Sequence, residues 1–271
     1  MVTHSVRVAA QQALQQGSLD GLRSFRFRYG ATALSTWYIP VGTCLLYYAM
    51  QRIVQAIMRK RQAPRLNYIM FVYNLLMSAG SAVLFTAMSA VLLERWLVFS
   101  VRDLVCSAAM HDDGRLQFMY WINYLFKYVE LLDTLFLAVR KRRIIFLHSY
   151  HHAATLLLCW SQQVEHSTVQ WVVIYINLGV HVLMYYYYGV AVMGIKPWWR
   201  KHLTKLQIAQ FVIDLVACSY AYGVHTVYGF GACHGTPTGA YTGIAILASY
   251  LLLFVKFYID TYKRPPKHLK E

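Results

Sequence analysis

The sequence predicts an all-α polytopic membrane protein with seven transmembrane helices, on three observations. Of 271 residues, 58% are hydrophobic and only 14% are charged, too little polar surface to coat a soluble globule of this length. Seven apolar stretches, about 36–57, 67–93, 117–139, 144–163, 167–193, 203–229 and 240–261, are each near or above the roughly 20 residues a helix needs to cross hydrocarbon. Lysines and arginines gather in alternate connections, the pattern that sets orientation in a bilayer.

In chain order, residues 1–33 read as a polar N-terminal tail, 34–262 as the membrane domain and 263–271 as a basic tail. The first segment mixes Gln11, Gln12, Gln15 and Gln16 with Arg23, Arg26 and Arg28, interleaved with Phe25, Phe27 and Tyr29. That composition suits a mobile tail or an interfacial segment. It has no short apolar run with a small-residue cleavage site, so the first span is expected to direct insertion. The first connection holds Arg52, Arg59, Lys60, Arg61 and Arg65, and the third Arg140, Lys141, Arg142 and Arg143. The fifth holds Lys196, Arg200, Lys201 and Lys205, and the last tail Lys263, Arg264, Lys267 and Lys270. The even-numbered connections carry only Arg95, Arg102 and Arg115. This puts the C-terminal tail in the cytosol and, with an odd number of spans, the N-terminus on the far side, where Arg7, Arg23, Arg26 and Arg28 run against the rule.

The net charge of +15 is thus divided among short membrane-flanking clusters, which argues against a nucleic-acid partner. Five cysteines without a CxxC pair argue against a thiolate metal site. Cys106 and Cys233 fall in the second and sixth connections, where an oxidising lumen would let them form a disulfide. Cys44, Cys159 and Cys218 lie within spans, as small packing residues.

Ionisable side chains at membrane depth are costly and usually face a protein interior or a water-filled cavity. The third span carries Lys127, Glu130, Asp133 and Thr134; the fourth, running back, carries His148, His151 and His152. At about 1.5 Å per residue, Asp133 and Glu130 lie roughly 10 and 15 Å in from Arg140, and the histidines roughly 6 to 12 Å in from Ile144. The fifth span adds Asn177, His181, Tyr185 and Tyr188 down one face; the sixth adds Thr204, Gln207, Gln210 and Asp214. Four helices aim polar stripes at one zone. The histidines, at i, i+3 and i+4, share a face. They suit a metal, a nucleophile with proton-transfer partners, or core imidazoles satisfying one another. Lys127 and Glu130 fit either a packing ion pair or one wall of a site, and Gln210 and Asp214 either helix contact or substrate contact. Isolated histidines such as His225 and His234 read as ordinary core residues. Arg140, Lys141, Arg142, Arg143, Arg200, Lys201, Lys205, Lys263 and Arg264 are topology signals first and would also hold a polyphosphate headgroup at the cytosolic mouth.

These residues resemble the fatty acid elongases of the endoplasmic reticulum over about residues 67–262. Lys127-x-x-Glu130-x-x-Asp133-Thr134, Phe146-Leu147-His148-Ser149-Tyr150-His151-His152, Asn177-x-x-x-His181-x-x-Met184-Tyr185-x-Tyr187-Tyr188 and Thr204-x-x-Gln207-x-x-Gln210 match the family's four motifs in order. The resemblance implies seven helices, six of them in a barrel-like ring around a narrow acyl tunnel open to the cytosol. It implies that acyl-CoA is extended by two carbons from malonyl-CoA, with release of carbon dioxide and CoA, and that no cofactor is permanently bound. By analogy His151 takes the acyl group, with His152 and His181 in proton transfer or enolate stabilisation and His148, Asn177 and Glu130 orienting them. The resemblance also implies an endoplasmic-reticulum membrane location and, as partners, the ketoacyl-CoA reductase, dehydratase and enoyl-CoA reductase of the elongation cycle; it leaves a homodimer open. The ending Lys267-His268-Leu269-Lys270-Glu271 departs from the family's dilysine-type tail. Ile144-Ile145-Phe146 before the histidine box, with Val169-Gln170-Trp171, Trp198-Trp199 and Gln210 to Asp214, resembles the fungal-type branch, which points to saturated or monounsaturated chains.

Other classes fit less well. A di-iron desaturase shares an HxxHH box but needs several such boxes, and this chain has one. A seven-span receptor would be expected to carry glycosylation sequons, which are absent, and a transporter often has internal repeats or broken helices.

Overall fold

The computed structural model describes residues 20–195, 197–229 and 232–263, whose regular secondary structure is all helical, with no strand among them. The seven long helices are α1 Tyr38–Arg59, α2 Asn67–Trp96, α3 Gly114–Val139, α4 Phe146–Val164, α5 Gln170–Val192, α6 Arg200–Tyr228 and α7 Pro237–Tyr262. Each falls within a few residues of an apolar stretch of the sequence. By length and composition, α2, α6 and α7 are apolar enough to cross a membrane. The other four are diluted by what they carry: Gln51, Arg52 and Gln55 on α1, and the polar stripes on α3, α4 and α5.

Neighbouring helices pack in the order α2–α3–α4–α7–α6–α5, with α5 against α2, and α1 packs on α3 and α4. Three apolar clusters hold these junctions. Leu84 and Met88 meet Tyr120 and Leu178 between α2, α3 and α5; Leu158, Phe211, Leu247 and Tyr250 join α4, α6 and α7; Tyr47, Tyr124 and Leu156 join α1, α3 and α4. Leu45, Leu46 and Ile53 of α1, Leu76 and Val83 of α2 and Leu252 of α7 face outward, an apolar exterior of the kind a bilayer covers.

One end of the bundle is closed by covalent and charged ties. Cys106, at the end of a short helix Val101–Cys106, is disulfide-bonded to Cys233, as the topology predicts. Asp113 caps α3 by accepting from the Arg115 N–H, and its carboxylate also takes Arg95 at 2.6 Å and the Arg115 guanidinium at 2.9 Å. Burial opposes ionisation of Asp113, yet the Arg115 and Arg95 guanidiniums hold its carboxyl below the usual range.

The expected tail is packed from about Leu22 onward. Phe25 stacks on Trp121 with ring centroids 5.7 Å apart, the Phe27 N–H donates to Gln117 Oε1 at 2.8 Å, and the Tyr124 hydroxyl donates to the Leu34 carbonyl at 2.9 Å. The closest approach is at Gly114, where a Cβ would stand 2.3 Å from the Arg23 carbonyl oxygen. Residues 1–19, Lys196, residues 230–231 and residues 264–271, including Arg264, lie outside the described residues.

His234, read from the sequence as an isolated core histidine, belongs to a cluster at this end. His111 Nε2 is 3.0 Å from His166 Nδ1, and the His234 ring lies 4.9 Å from that of His111. Burial, and then the His166 and His234 rings, push the His111 imidazole down to about 4. An unfolded imidazole titrates near 6.5, so between these values the unfolded chain binds a proton that the folded chain refuses. Stability therefore rises with pH across that window and is fully present only above about 6.5. The thermal midpoint is expected to fall from about pH 7.5 to about pH 5, and to fall less in a His111→Gln protein. Equal falls in the two proteins would contradict this assignment.

Candidate functional site

Along α3, Asn123, Lys127, Glu130 and Thr134 recur at spacings of four, three and four, which places them on one helix face, and all four are buried. Lys127 and Glu130 are 2% and 3% exposed. The Lys127 ammonium donates to Glu130 Oε1 at 2.9 Å and to Asn177 Oδ1 of α5 at 3.0 Å. Glu130 Oε1 is also 3.4 Å from His181 Nδ1. One turn on, Asp133 accepts from the Tyr185 hydroxyl at 2.8 Å and stands 3.9 Å from His152 Nε2. Thr134 Oγ1 lies 2.9 Å from His148 Nε2. Three successive polar positions of α3 thus reach three imidazoles on two other helices.

On α4, His148 and His152 pack ring to ring at 4.6 Å. His151 points a different way, toward α6 and α7, where Tyr250, Phe254 and Phe211 surround its ring at 4.7, 5.7 and 6.3 Å. Its Nδ1 is buried without a hydrogen-bond partner among the described residues. An imidazole in an aromatic cage, with one nitrogen unengaged, is not spent on satisfying its neighbours.

A cavity of about 670 Å³ collects these groups. Glu130, Asp133, His148, His151, His152 and His181 line it, together with Asn177, Tyr185, Thr204, Gln207 and Gln210. Tyr188 lines it too and remains 44% exposed, whereas Tyr185 is fully buried. A second, narrower cavity of about 50 Å³ runs toward the disulfide end between Leu158, Val173 and Leu247. His151, Asn177, Gln210 and Phe211 line both, so His151 stands where a wide chamber that carries the ionisable groups meets a narrower and almost wholly apolar one.

Several sequence-predicted residues lie elsewhere. Asp214 is fully buried, is held by the Gln210 amide at 3.3 Å and lines neither cavity. Of the basic residues expected to hold phosphates, Arg140, Arg142 and Arg200 line the chamber; Arg143, Lys201, Lys205 and Lys263 do not. Lys141 bends back to donate to the Arg59 and Arg61 carbonyls, and Lys201 lies over the Tyr258 ring. Among the described residues no three His, Cys, Asp or Glu side chains are grouped to hold one metal ion. The sequence reading missed the Phe211, Tyr250 and Phe254 cage and missed Tyr47 of α1, whose hydroxyl is 2.6 Å from Thr134 Oγ1.

Fold and site define an all-helical membrane protein with a buried, imidazole-lined cavity. Residues 32–270 match the ELO, GNS1/SUR4, family. The chain is 36% identical over 245 residues to putative fatty acid elongase 1 of Schizosaccharomyces pombe, covering 88% of this chain and 73% of that one. It is 37% identical over 252 residues to putative fatty acid elongase 2 of the same yeast, covering 89% and 68%. Fatty acid elongase A of Dictyostelium discoideum is 30% identical over 256 residues, 93% of each chain. The chain belongs to the ELO, GNS1/SUR4, family of fatty acid elongases.

Removing one partner of a buried ion pair strands the other charge. Lys127→Met is therefore expected to cost about 3–5 kcal/mol, and adding Glu130→Gln to recover part of that loss. Thermal unfolding checks it: a single variant as stable as the parent would contradict the pairing.

Proposed function

We propose that this protein is the condensing enzyme of fatty acid elongation, a very-long-chain 3-oxoacyl-CoA synthase. The observation that carries the reading is the position of His151 at the junction of a wide chamber lined in part by Arg140, Arg142 and Arg200 and a narrow apolar cavity. An acyl-CoA divides its chemistry in the same way: phosphates at one end, an alkyl chain at the other, and the thioester between them. Arg140, Arg142 and Arg200 suit the phosphates, since guanidinium forks bind them in pairs.

In the proposed reaction a His151 ring nitrogen attacks the thioester carbonyl and the CoA thiolate leaves, taking up a proton. Water would hydrolyse the acyl-imidazole, and the Phe211, Tyr250 and Phe254 cage around the His151 ring limits its access. Malonyl-CoA loses its carboxylate as carbon dioxide, the bond electrons pass to an enolate, and the enolate carbon attacks the acyl carbonyl. The imidazole leaves and a 3-oxoacyl-CoA two carbons longer is formed. His152 and His181 lie within the same chamber to move protons or stabilise the enolate oxygen. Asp133 and Glu130 face those rings at 3.9 and 3.4 Å, and Lys127 fixes Asn177 beside them.

The same reading extends to the surroundings. We take all seven long helices as spans, α2 to α7 as a closed ring around an acyl tunnel, and α1 as an outer helix. The basic end faces the cytosol and the disulfide end the lumen of the endoplasmic reticulum. Saturated or monounsaturated acyl-CoA is the substrate class, and the reductases and dehydratase of the elongation cycle are the expected partners.

Purified protein given a long saturated acyl-CoA and malonyl-CoA is expected to form 3-oxoacyl-CoA, read by mass spectrometry. His151→Ala should lower the rate at least about 100-fold. No product across chain lengths would remove the function, and an undiminished His151→Ala rate would remove the nucleophile.

A further inference from the structure

We infer that Tyr47, on the helix outside the α2–α7 sequence of neighbours, is a positioning residue for the histidine box: through the Thr134 hydroxyl it holds the His148 ring by Nε2. The inference rests on the elongase reading and adds a residue that none of the four motifs contains.

The observation is a chain of three polar groups crossing from α1 through α3 to α4. Leu45, Leu46 and Tyr48 of α1 face outward, but Tyr47 turns in and is 2% exposed. Its hydroxyl lies 2.6 Å from Thr134 Oγ1, which is fully buried and lies 2.9 Å from His148 Nε2. Buried hydroxyls without partners are costly, so their proton directions are constrained. Each hydroxyl has a single proton to give. When Tyr47 donates to Thr134 and Thr134 donates to Nε2, all three atoms are satisfied and the imidazole carries its own proton on Nδ1. The opposite polarity makes Nε2 the donor and sends the tyrosine proton to the Ser149 hydroxyl, the second side-chain partner of Tyr47, so in either polarity the Tyr47 and Thr134 hydroxyls tie the ring at Nε2.

The consequence reaches the reacting groups through the ring beside it. His148 packs on His152 at 4.6 Å, and His152 is faced from the other side by Asp133, the residue next to Thr134 on α3. Adjacent residues of α3 therefore face two imidazoles that pack edge to face. A ring tethered at Nε2 leaves Nδ1 alone to act toward the chamber, whereas an untethered ring offers either nitrogen.

Tyr47 is separable from the docking of α1. One turn to either side, the Cys44 thiol donates to the Ala153 carbonyl at 3.6 Å, and Gln51 Oε1 accepts from the Ser149 hydroxyl at 2.9 Å. Phenylalanine at 47 keeps the ring packing and removes only the hydroxyl.

The test is steady-state condensation by Tyr47→Phe, Thr134→Val, Thr134→Ser and the Tyr47→Phe/Thr134→Val double variant, each with a pH–rate profile and a thermal midpoint. The expected result for Tyr47→Phe is a kcat about 10-fold or more below wild type, a shifted pH profile and KM values within about 2-fold. Thr134→Ser should keep the parent rate, and the double variant should be no slower than Thr134→Val, because both changes cut one chain. An active wild type with unchanged kcat and pH profile in Tyr47→Phe would overturn this inference alone, as would losses that multiply in the double variant. If Tyr47→Phe does not fold, the Thr134 pair decides: serine at the parent rate with valine slowed in kcat supports the chain, and equal rates overturn it. A wild type that makes no product overturns the elongase reading and this inference with it.

Discussion

The buried ion pair between Lys127 and Glu130 is the constraint on which the site depends. Two opposite charges on one helix face, within a bundle whose exterior is apolar, are tolerable only when each is paired and hydrogen-bonded. Asn177 takes a second ammonium proton and His181 approaches the carboxylate. Because these partners sit on α5, satisfying the charges fixes α5 against α3. The pair acts as a register pin, and the polar wall it holds is the wall of the chamber.

From that pin, the α-helical repeat does the rest. Asp133 and Thr134 follow Glu130 by one turn and face α4, where each meets one imidazole of the i, i+4 pair His152 and His148. His151, between them in sequence, is rotated off that face into the aromatic cage of α6 and α7. The three histidines of one box therefore have two environments: two rings held by polar partners, and one in an apolar cage with a nitrogen left over. That division is what an acyl acceptor with neighbouring proton-transfer groups requires.

Much of this was legible in the sequence because helical periodicity converts spacing into a shared face. The positions of the helices, the convergence of four polar stripes and the Cys106–Cys233 bridge all followed from spacing and charge alternation. What was not legible has physical reasons. Tyr47 lies in an apolar run, Leu45-Leu46-Tyr47-Tyr48, where a lipid-facing and an inward tyrosine look alike. Asp214 continues the spacing of Gln207 and Gln210, yet it lies beyond the chamber wall. Periodicity gives direction around a helix but not where a cavity ends. Lys141 shows the limit for long basic side chains, whose reach lets them bond a neighbouring backbone instead of facing the cavity beside them. Gly114, an ordinary residue in the sequence, is where the N-terminal segment closes on α3.

The most direct test is whether His151 itself becomes acylated. Purified protein incubated with a saturated long-chain acyl-CoA, without malonyl-CoA, is expected to gain the mass of one acyl group on the peptide that contains His151. That adduct should disappear as 3-oxoacyl-CoA forms once malonyl-CoA is added. Product formation with no adduct on His151 at any time would contradict the acyl-imidazole route and leave direct condensation in the same chamber.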